Sequence, residues 1–252
     1  MQKKSGPRGE EGGRLLARLA GDATSGASMI YRRVLLALAD GTAFPPDIPR
    51  RLREMAGDMA PLRFLARRLE GADDPAAEAG RLLAEMDGRL RKLAGEARPL
   101  LAGSALICHS NSGTVISVLS ALSPPPEAVF QTLSLPGGEG RSAAEALSGK
   151  GLRASLVNDA QAPELVRGHG LLPVMGADAV TADYLVNKVG SARIVEAARE
   201  EGLEPVFLAG PEKRVEAEEY GRRPKSPLFE RVPLQGVRVV GVNGEGSSRC
   251  RC

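Results

Sequence analysis

Residues 172–209 read LPVMGADAVTADYLVNKVGSARIVEAAREEGLEPVFLA. An apolar run over 172–175 ends in the small residues Gly176 and Ala177, and a second apolar run closes at 205–208. Between them lie a polar loop and a stretch from Lys188 to about residue 201 with helical periodicity. Strand, helix and strand in that order predict one unit of a parallel sheet covered on both faces. Asp178 falls at the carboxyl end of the first strand, where open α/β sheets bind their ligands. Asp178 and the Asn187-Lys188 pair therefore stand where chemistry would be done. An aspartate at such a place serves equally well as a helix cap or a turn residue. Lysine is scarce here: after residue 98 it occurs only as Lys150, Lys188, Lys213 and Lys225.

Outward from this unit, the same alternation continues. Short apolar runs at 105–108, 128–130, 154–157 and 237–242 complete six expected strands, and helical stretches fall near 112–122, 143–148 and 162–167. Upstream of residue 99 the pattern is different. Ala27, Ile30, Tyr31, Val34, Leu35 and Leu38 follow one helical face. Further helices are expected at 13–20, at 50–69 with a kink at Pro61, and from Pro75 to about 94, where 95–99 ends the segment. The fold class is thus α/β: an all-helical N-terminal domain over 1–98, then a parallel-sheet domain over 99–252. Residues 1–13 and the tail from about 243 read as loose.

With 252 residues, 42% of them hydrophobic and 26% charged, the chain has an ordinary globular composition and can bury a large core. A net charge of +3, absence of tryptophan and 3% aromatics argue against nucleic acid as a partner. The mild basic excess lies in the first 98 residues, where arginines alternate with leucine and alanine as on a solvated helix face. No run of about twenty apolar residues is present to cross a membrane. The opening MQKKSGPRGEEGG has no apolar segment after its charges and does not read as a signal peptide. Three cysteines, Cys108, Cys250 and Cys252, form no disulfide framework, so a reducing cytoplasm is the expected compartment. Cys250-Arg251-Cys252 has the ligand type for a soft metal but no further ligands nearby, and neither a metal nor a cofactor is expected.

Four polar turns follow the expected strands. The first, Cys108-His109-Ser110-Asn111-Ser112-Gly113-Thr114, leads into a helix whose free N–H groups suit a phosphate. Ser112 or Thr114 is also a good N-cap. His109 lies at a working strand end, whereas Cys108 reads more naturally as the last apolar residue of its strand. The second turn, Pro136-Gly137-Gly138-Glu139-Gly140-Arg141, offers backbone for close approach and an arginine for an anion. It carries neither the dinucleotide nor the P-loop glycine fingerprint. Asn158-Asp159 and the Asp178 loop complete the rim, which describes a pocket for a phosphorylated, hydroxyl-rich ligand.

Together VMGADAVTADYLVNKVG, LICHSNSGTVISVL and ALSGKGLRASLVNDA resemble the family of translation initiation factor 2B alpha, beta and delta subunits, which also holds isomerases of ribose 1,5-bisphosphate and methylthioribose 1-phosphate. The resemblance covers most of the chain, from Ser25-Gly26-Ala27 to about Val242. It implies a helical domain, a Rossmann-like domain and a dimer or higher oligomer. It places the isomerases' acid–base aspartate on Asp178 and their Asn-Lys pair on Asn187 and Lys188. Their catalytic cysteine falls on Ser110, or on Cys108 if a gap is allowed. The family's Glu-x-Arg-Pro is Leu133-Ser134-Leu135-Pro136 here, and its Arg-Gly-Ala is Ser25-Gly26-Ala27, so two ligand-binding arginines are missing; Arg141 is the candidate replacement. Gly26, Ala27, His109, Ser112, Gly113, Thr114, Arg141, Asp159, Asn187 and Lys188 are the expected ligand contacts. The ligand class is a phosphorylated sugar or a nucleotide, bound without the usual isomerase apparatus; the alternative is an aldose–ketose isomerase using Asp178 with Ser110 or Cys108.

Overall fold

A computed structural model describes residues 9–22, 24–220 and 224–242. The N-terminal region is helical: α1 (Glu10–Ala20), α2 (Ala27–Ala39), α3 (Ile48–Ala56), α4 (Ala60–Glu70) and the long α5 (Pro75–Leu101). Their apolar faces meet in one cluster that includes Tyr31, Val34, Leu35, Leu52, Leu65 and Leu82. These are the positions expected from helical spacing.

In this region three helices differ from the sequence reading. α1 begins at Glu10 rather than at residue 13, because its first turn is tied down: Gly12 N–H donates to the Ala43 carbonyl at 3.0 Å. The expected 50–69 helix is two helices, parted at Gly57, whose φ of 51° breaks the run; Pro61 then sits in the first turn of α4, where its missing N–H costs nothing. α5 passes through Gly95 and Pro99 to Leu101. Tertiary burial overrides local propensity there, since Leu93, Ala94, Ala97 and Leu101 pack into the core of the sheet region. α5 therefore belongs to both halves of the molecule.

The sheet is built from β1 (Ala105–His109), β2 (Ala128–Thr132), β3 (Ala154–Val157), β4 (Leu172–Gly176), β7 (Val206–Leu208) and β9 (Arg238–Val240), in the order β3-β2-β1-β4-β7-β9. Every neighbouring pair is parallel. α6 (Gly113–Ser120) and α5 pack on one face, against Leu106, Cys108 and Val174. α8 (Ala162–His169) and α9 (Ser191–Glu200) pack on the other, against Ile107, Met175 and Phe207. The period-2 alternation of strand side chains sends Cys108 to the first face and His109 to the second. α7 (Gly140–Gly149) connects β2 to β3.

Strand order reverses between β1 and β4: the chain runs outward through β2 and β3, then returns to lay β4 beside β1. At such a switch point the loops beyond the two strands part and leave a crevice. A second, antiparallel sheet stands at this end, in the order β5 (Ala179–Val180), β6 (Tyr184–Lys188), β8 (Phe229–Pro233). It is absent from the sequence reading, which took 178–187 as a polar loop and opened the helix at Lys188. Asn187 and Lys188 instead end a strand, and α9 starts at Ser191. Cys250, Cys252 and the tail expected to be loose lie outside the described residues, as do residues 1–8.

Candidate functional site

Two strand ends and one helix start converge at the switch point. β1 delivers Ser110 and Asn111, β4 delivers Gly176, Ala177 and Asp178, and the turn before α2 brings Gly26, Ala27 and Ser28 from the helical region. With Ser112, Gly113, Asn187 and Lys213 these line one cavity of about 20 Å3, room for about one water. Seven of the expected site residues thus share it: Gly26, Ala27, Ser110, Ser112, Gly113, Asp178 and Asn187.

Close backbone approach makes this possible. A Cβ on Gly26 would stand 2.3 Å from the Asn111 carbonyl oxygen, and one on Gly176 would stand 2.3 Å from Ser112 Oγ. Ser112 caps α6, its hydroxyl accepting from Val115 N–H at 3.3 Å. Ser110 is held in the left-handed region at φ 67°, an uncommon state for a residue with a side chain and typical of sites where the surroundings over-determine the backbone. Its N–H donates to Ser134 Oγ at 2.8 Å and its hydroxyl to Glu139 at 3.3 Å.

Asp178 is buried at the centre. Its carboxylate accepts from the Ala27 N–H. Its own N–H donates to the Val186 carbonyl at 2.8 Å, and its carbonyl accepts from Ala60 N–H at 2.9 Å, so all three chain segments are fixed to it. Burial raises the Asp178 carboxyl to about 6, against the pull of Lys213 and the Ala27 N–H, with Asp58 and Glu139 adding to the rise. Lys213 follows β7 in a short 3-10 turn and is 2% exposed. Its ammonium has no hydrogen bond or ion pair within 4.0 Å among the described residues. Burial pushes its proton affinity down while Asp178 and Glu212 draw it back up. Asn111 points a buried amide into the same space: Nδ2 donates to the Thr24 carbonyl at 3.2 Å, and Oδ1 has no partner.

The other expected residues are elsewhere. Cys108 is 2% exposed in the apolar core between strand and helix, and burial pushes its thiol up to about 12. It is neither a thiolate nor directed at Asp178, which removes it as Asp178's partner. His109 is buried and fully partnered. Nε2 lies 2.9 Å from the Val189 carbonyl and so must carry the proton, which leaves Nδ1 to accept from Thr132 Oγ1 at 2.7 Å. Burial keeps this imidazole below the ordinary histidine value and neutral. Asp159 accepts from Ser134 N–H and Leu135 N–H, both at 2.7 Å, and braces the loop after β2. Thr114 faces the helical region and shares a 3.2 Å hydrogen bond with Ser28. Arg141 is exposed on α7 and lines no part of the cavity. Lys188 is locked in a buried ion pair with Glu139, 2.8 Å to Oε1 and 3.1 Å to Oε2.

Lys213, Asn111 and Glu139 were not among the expected residues. The first had a signal: it follows the fifth expected strand closely, the same rule that singled out Asp178 after β4. Beyond the Ser28–Thr114 hydrogen bond lies a larger groove of about 560 Å3, lined by Met29, Met86, Leu90 and Leu93 and also by Gly113. Among the described residues no cluster of three or more His, Cys, Asp or Glu suits a metal ion. No helix there is long and apolar enough to cross a membrane.

Comparison with known proteins gives a consistent picture. The model of the initiation factor 2 subunit family matches residues 68–221. A translation initiation factor eIF-2B subunit 2-like protein of Pyrococcus horikoshii is 31% identical over 170 residues, 64% of this chain; the match spans 58% of that relative's length. Among solved structures, the Pyrococcus horikoshii translation initiation factor eIF-2B superposes with a TM-score of 0.76 at 23% identity, over 93% of this chain and 98% of that one. The 5-methylthioribose 1-phosphate isomerase of the same organism gives 0.66 at 14% identity, over 94% and 84%. A chain of the tetrameric eIF2B-beta2-delta2 complex from C. thermophilum gives 0.63 at 16%, over 94% and 90%. At these identities the structures share the fold.

Proposed function

The chain belongs to the initiation factor 2 subunit family, and from that premise we propose that it binds a small phosphorylated, hydroxyl-rich ligand, a sugar phosphate or a nucleotide, at the Asp178 cavity. The observation that carries this reading is the convergence of Asp178, Lys213, Asn187 and Asn111 on one buried space at the sheet's switch point. The Asn187 amide is held by Ser191 Oγ at 2.9 Å, but Asp178, Lys213 and Asn111 Oδ1 bring more polar capacity to this space than their neighbours satisfy, which implies a guest. Asp178 and the unpartnered Asn111 Oδ1 accept from hydroxyls, and the start of α6 offers N–H groups to a phosphate. Lys213 adds a basic group to the lining where Ser25 stands in place of an arginine.

As it stands the cavity admits about one water. Entry therefore requires the Gly26–Ser28 turn to move away from Asn111, toward the 560 Å3 groove on its far side. The ligand closes the helical region onto the sheet by replacing the Ala27–Asp178 contact with its own. Binding of this kind in a cytoplasmic homo-oligomer would serve assembly or regulation. Leu135 and Leu156, 54% and 37% exposed on the β2–β3 side of the sheet, are the surface we assign to oligomer contact.

Isomerase activity is the second reading. An acid with a value of about 6 is poised for proton transfer near neutrality, which favours Asp178 as acid–base. The partner it needs is missing in the form expected, since Cys108 is in the core and the Ser110 hydroxyl is engaged by Glu139. Calorimetric titration with ribose 1,5-bisphosphate tests the binding reading: saturable heat that disappears in Asp178→Asn supports it, and no heat with the wild type refutes it.

A further inference from the structure

Lys213 is the most isolated buried charge among the described residues. It is 2% exposed, it lines a polar cavity rather than the apolar core, and no carboxylate lies within 4.0 Å of its nitrogen. Lys188, the other buried lysine at this site, has Glu139 against it and is spoken for. A buried ammonium without a partner is costly, and the relief open to lysine is to give up its proton. Burial shifts Lys213 in that direction. An unprotonated amine in a small polar cavity is a nucleophile.

The geometry points to a covalent role: we propose that Lys213 forms an imine with the carbonyl carbon of an open-chain aldose or ketose phosphate, with Asp178 carrying the protons. This rests on the ligand reading above. The neutral Lys213 Nζ donates its lone pair to the carbonyl carbon. A C–N bond forms while the C=O π pair moves to oxygen, which takes a proton from the Asp178 carboxyl. The nitrogen then returns one proton to the Asp178 carboxylate, leaving a neutral carbinolamine. Asp178 protonates the hydroxyl a second time, water leaves, and the nitrogen lone pair closes the C=N bond. The sum is neutral amine, carboxylic acid and carbonyl to iminium, carboxylate and water, with no oxidant or further reactant. Asn111 Oδ1, buried and unpaired, is the acceptor available to the hydroxyl next to the reacting carbon. A phosphorylated ligand without a carbonyl binds but forms no bond.

Trapping with cyanoborohydride tests this on the intact protein at pH 7.5. The probe is D-glyceraldehyde 3-phosphate, which carries an aldehyde, a hydroxyl and a phosphate; glycerol 3-phosphate, which lacks the carbonyl, is titrated in parallel and followed by phosphorus NMR line broadening. Peptide mapping is expected to place the reduced adduct on Lys213, with labelling about tenfold or more above the exposed Lys92, Lys150 and Lys225. The adduct is expected to vanish in Lys213→Arg and Lys213→Met. Broadening of glycerol 3-phosphate with no enrichment at Lys213 in the wild type overturns the imine and leaves the ligand reading standing. Neither broadening nor enrichment overturns both.

Discussion

The backbone N–H of Ala27, in the first turn of α2, donates to the Asp178 carboxylate beyond the end of β4. One carboxylate thus caps a helix of the N-terminal region from the sheet region, and it also forms the floor of the cavity. The cap role and the ligand role anticipated for Asp178 are both compatible with this geometry. In the proposed binding this contact is the latch that the ligand replaces.

Asp178 makes stability depend on pH. Its folded value of about 6 lies above the unfolded value near 4, so the folded state holds the proton more tightly. The contribution is fully present below about pH 4 and is lost as pH rises to about 6, a change on the order of 3 kcal/mol. Asp178→Asn keeps an acceptor for Ala27 N–H but does not titrate. Urea unfolding at several pH values is therefore expected to show the variant gaining on the wild type between pH 4 and 6, then a plateau. A difference independent of pH would contradict the burial argument.

Gly26 has φ −67°, which any residue adopts, so its role is one of space. In Gly26→Ala the new methyl meets the Asn111 carbonyl at 2.3 Å, and the start of α2 must lift. Overpacking of this sort costs about 1–3 kcal/mol. A melting temperature lowered accordingly, with ligand affinity reduced as well, is the expected result; an unchanged melting temperature would mean the turn is not pressed onto the β1 loop.

The Lys188–Glu139 pair is the part of the rim whose removal should cost most. Lys188→Met leaves a buried carboxylate without its cation, a loss of about 3–5 kcal/mol. Adding Glu139→Gln removes the stranded charge, and the double variant is expected to recover most of the loss. Denaturant titration of the three variants checks this by a double-mutant cycle.

Cys108 is expected to be inert. In a Cys250→Ser, Cys252→Ser background, the remaining thiol should react with Ellman's reagent only after denaturation, since it is buried and its thiol is raised to about 12. Cys108→Ala should cost about 1 kcal/mol of packing and leave ligand affinity unchanged. Rapid labelling of the native protein would return Cys108 to the site.

The six strands of the main sheet were legible because each contains a short cluster of apolar residues bounded by small or polar turns. Asp178 was legible because strand ends at a switch point are few. What the sequence concealed depends on tertiary partners. β5 is only two residues long, and β6 finds β8 across some forty residues, so no local period marks them. Helix α5 runs through Gly95 and Pro99 because its buried face continues into a second core, which neither residue announces. The partner of Lys188, Glu139, lies 49 positions away and no local pattern announces it, and the isolation of Lys213 is likewise a property of space. Cys108 and Ser110 are two positions apart, but only the alternation of the strand and the left-handed turn at Ser110 separate core from cavity.

The most direct test of the central claim is proton and phosphorus NMR of the purified protein with ribose 1,5-bisphosphate and, separately, methylthioribose 1-phosphate. The account predicts saturable broadening of the ligand resonances, lost in Asp178→Asn, with no ketose product over hours. Appearance of the ketose, abolished in the same variant, would contradict a binding role without turnover and make the chain an isomerase. Sharp resonances throughout would contradict the ligand site itself.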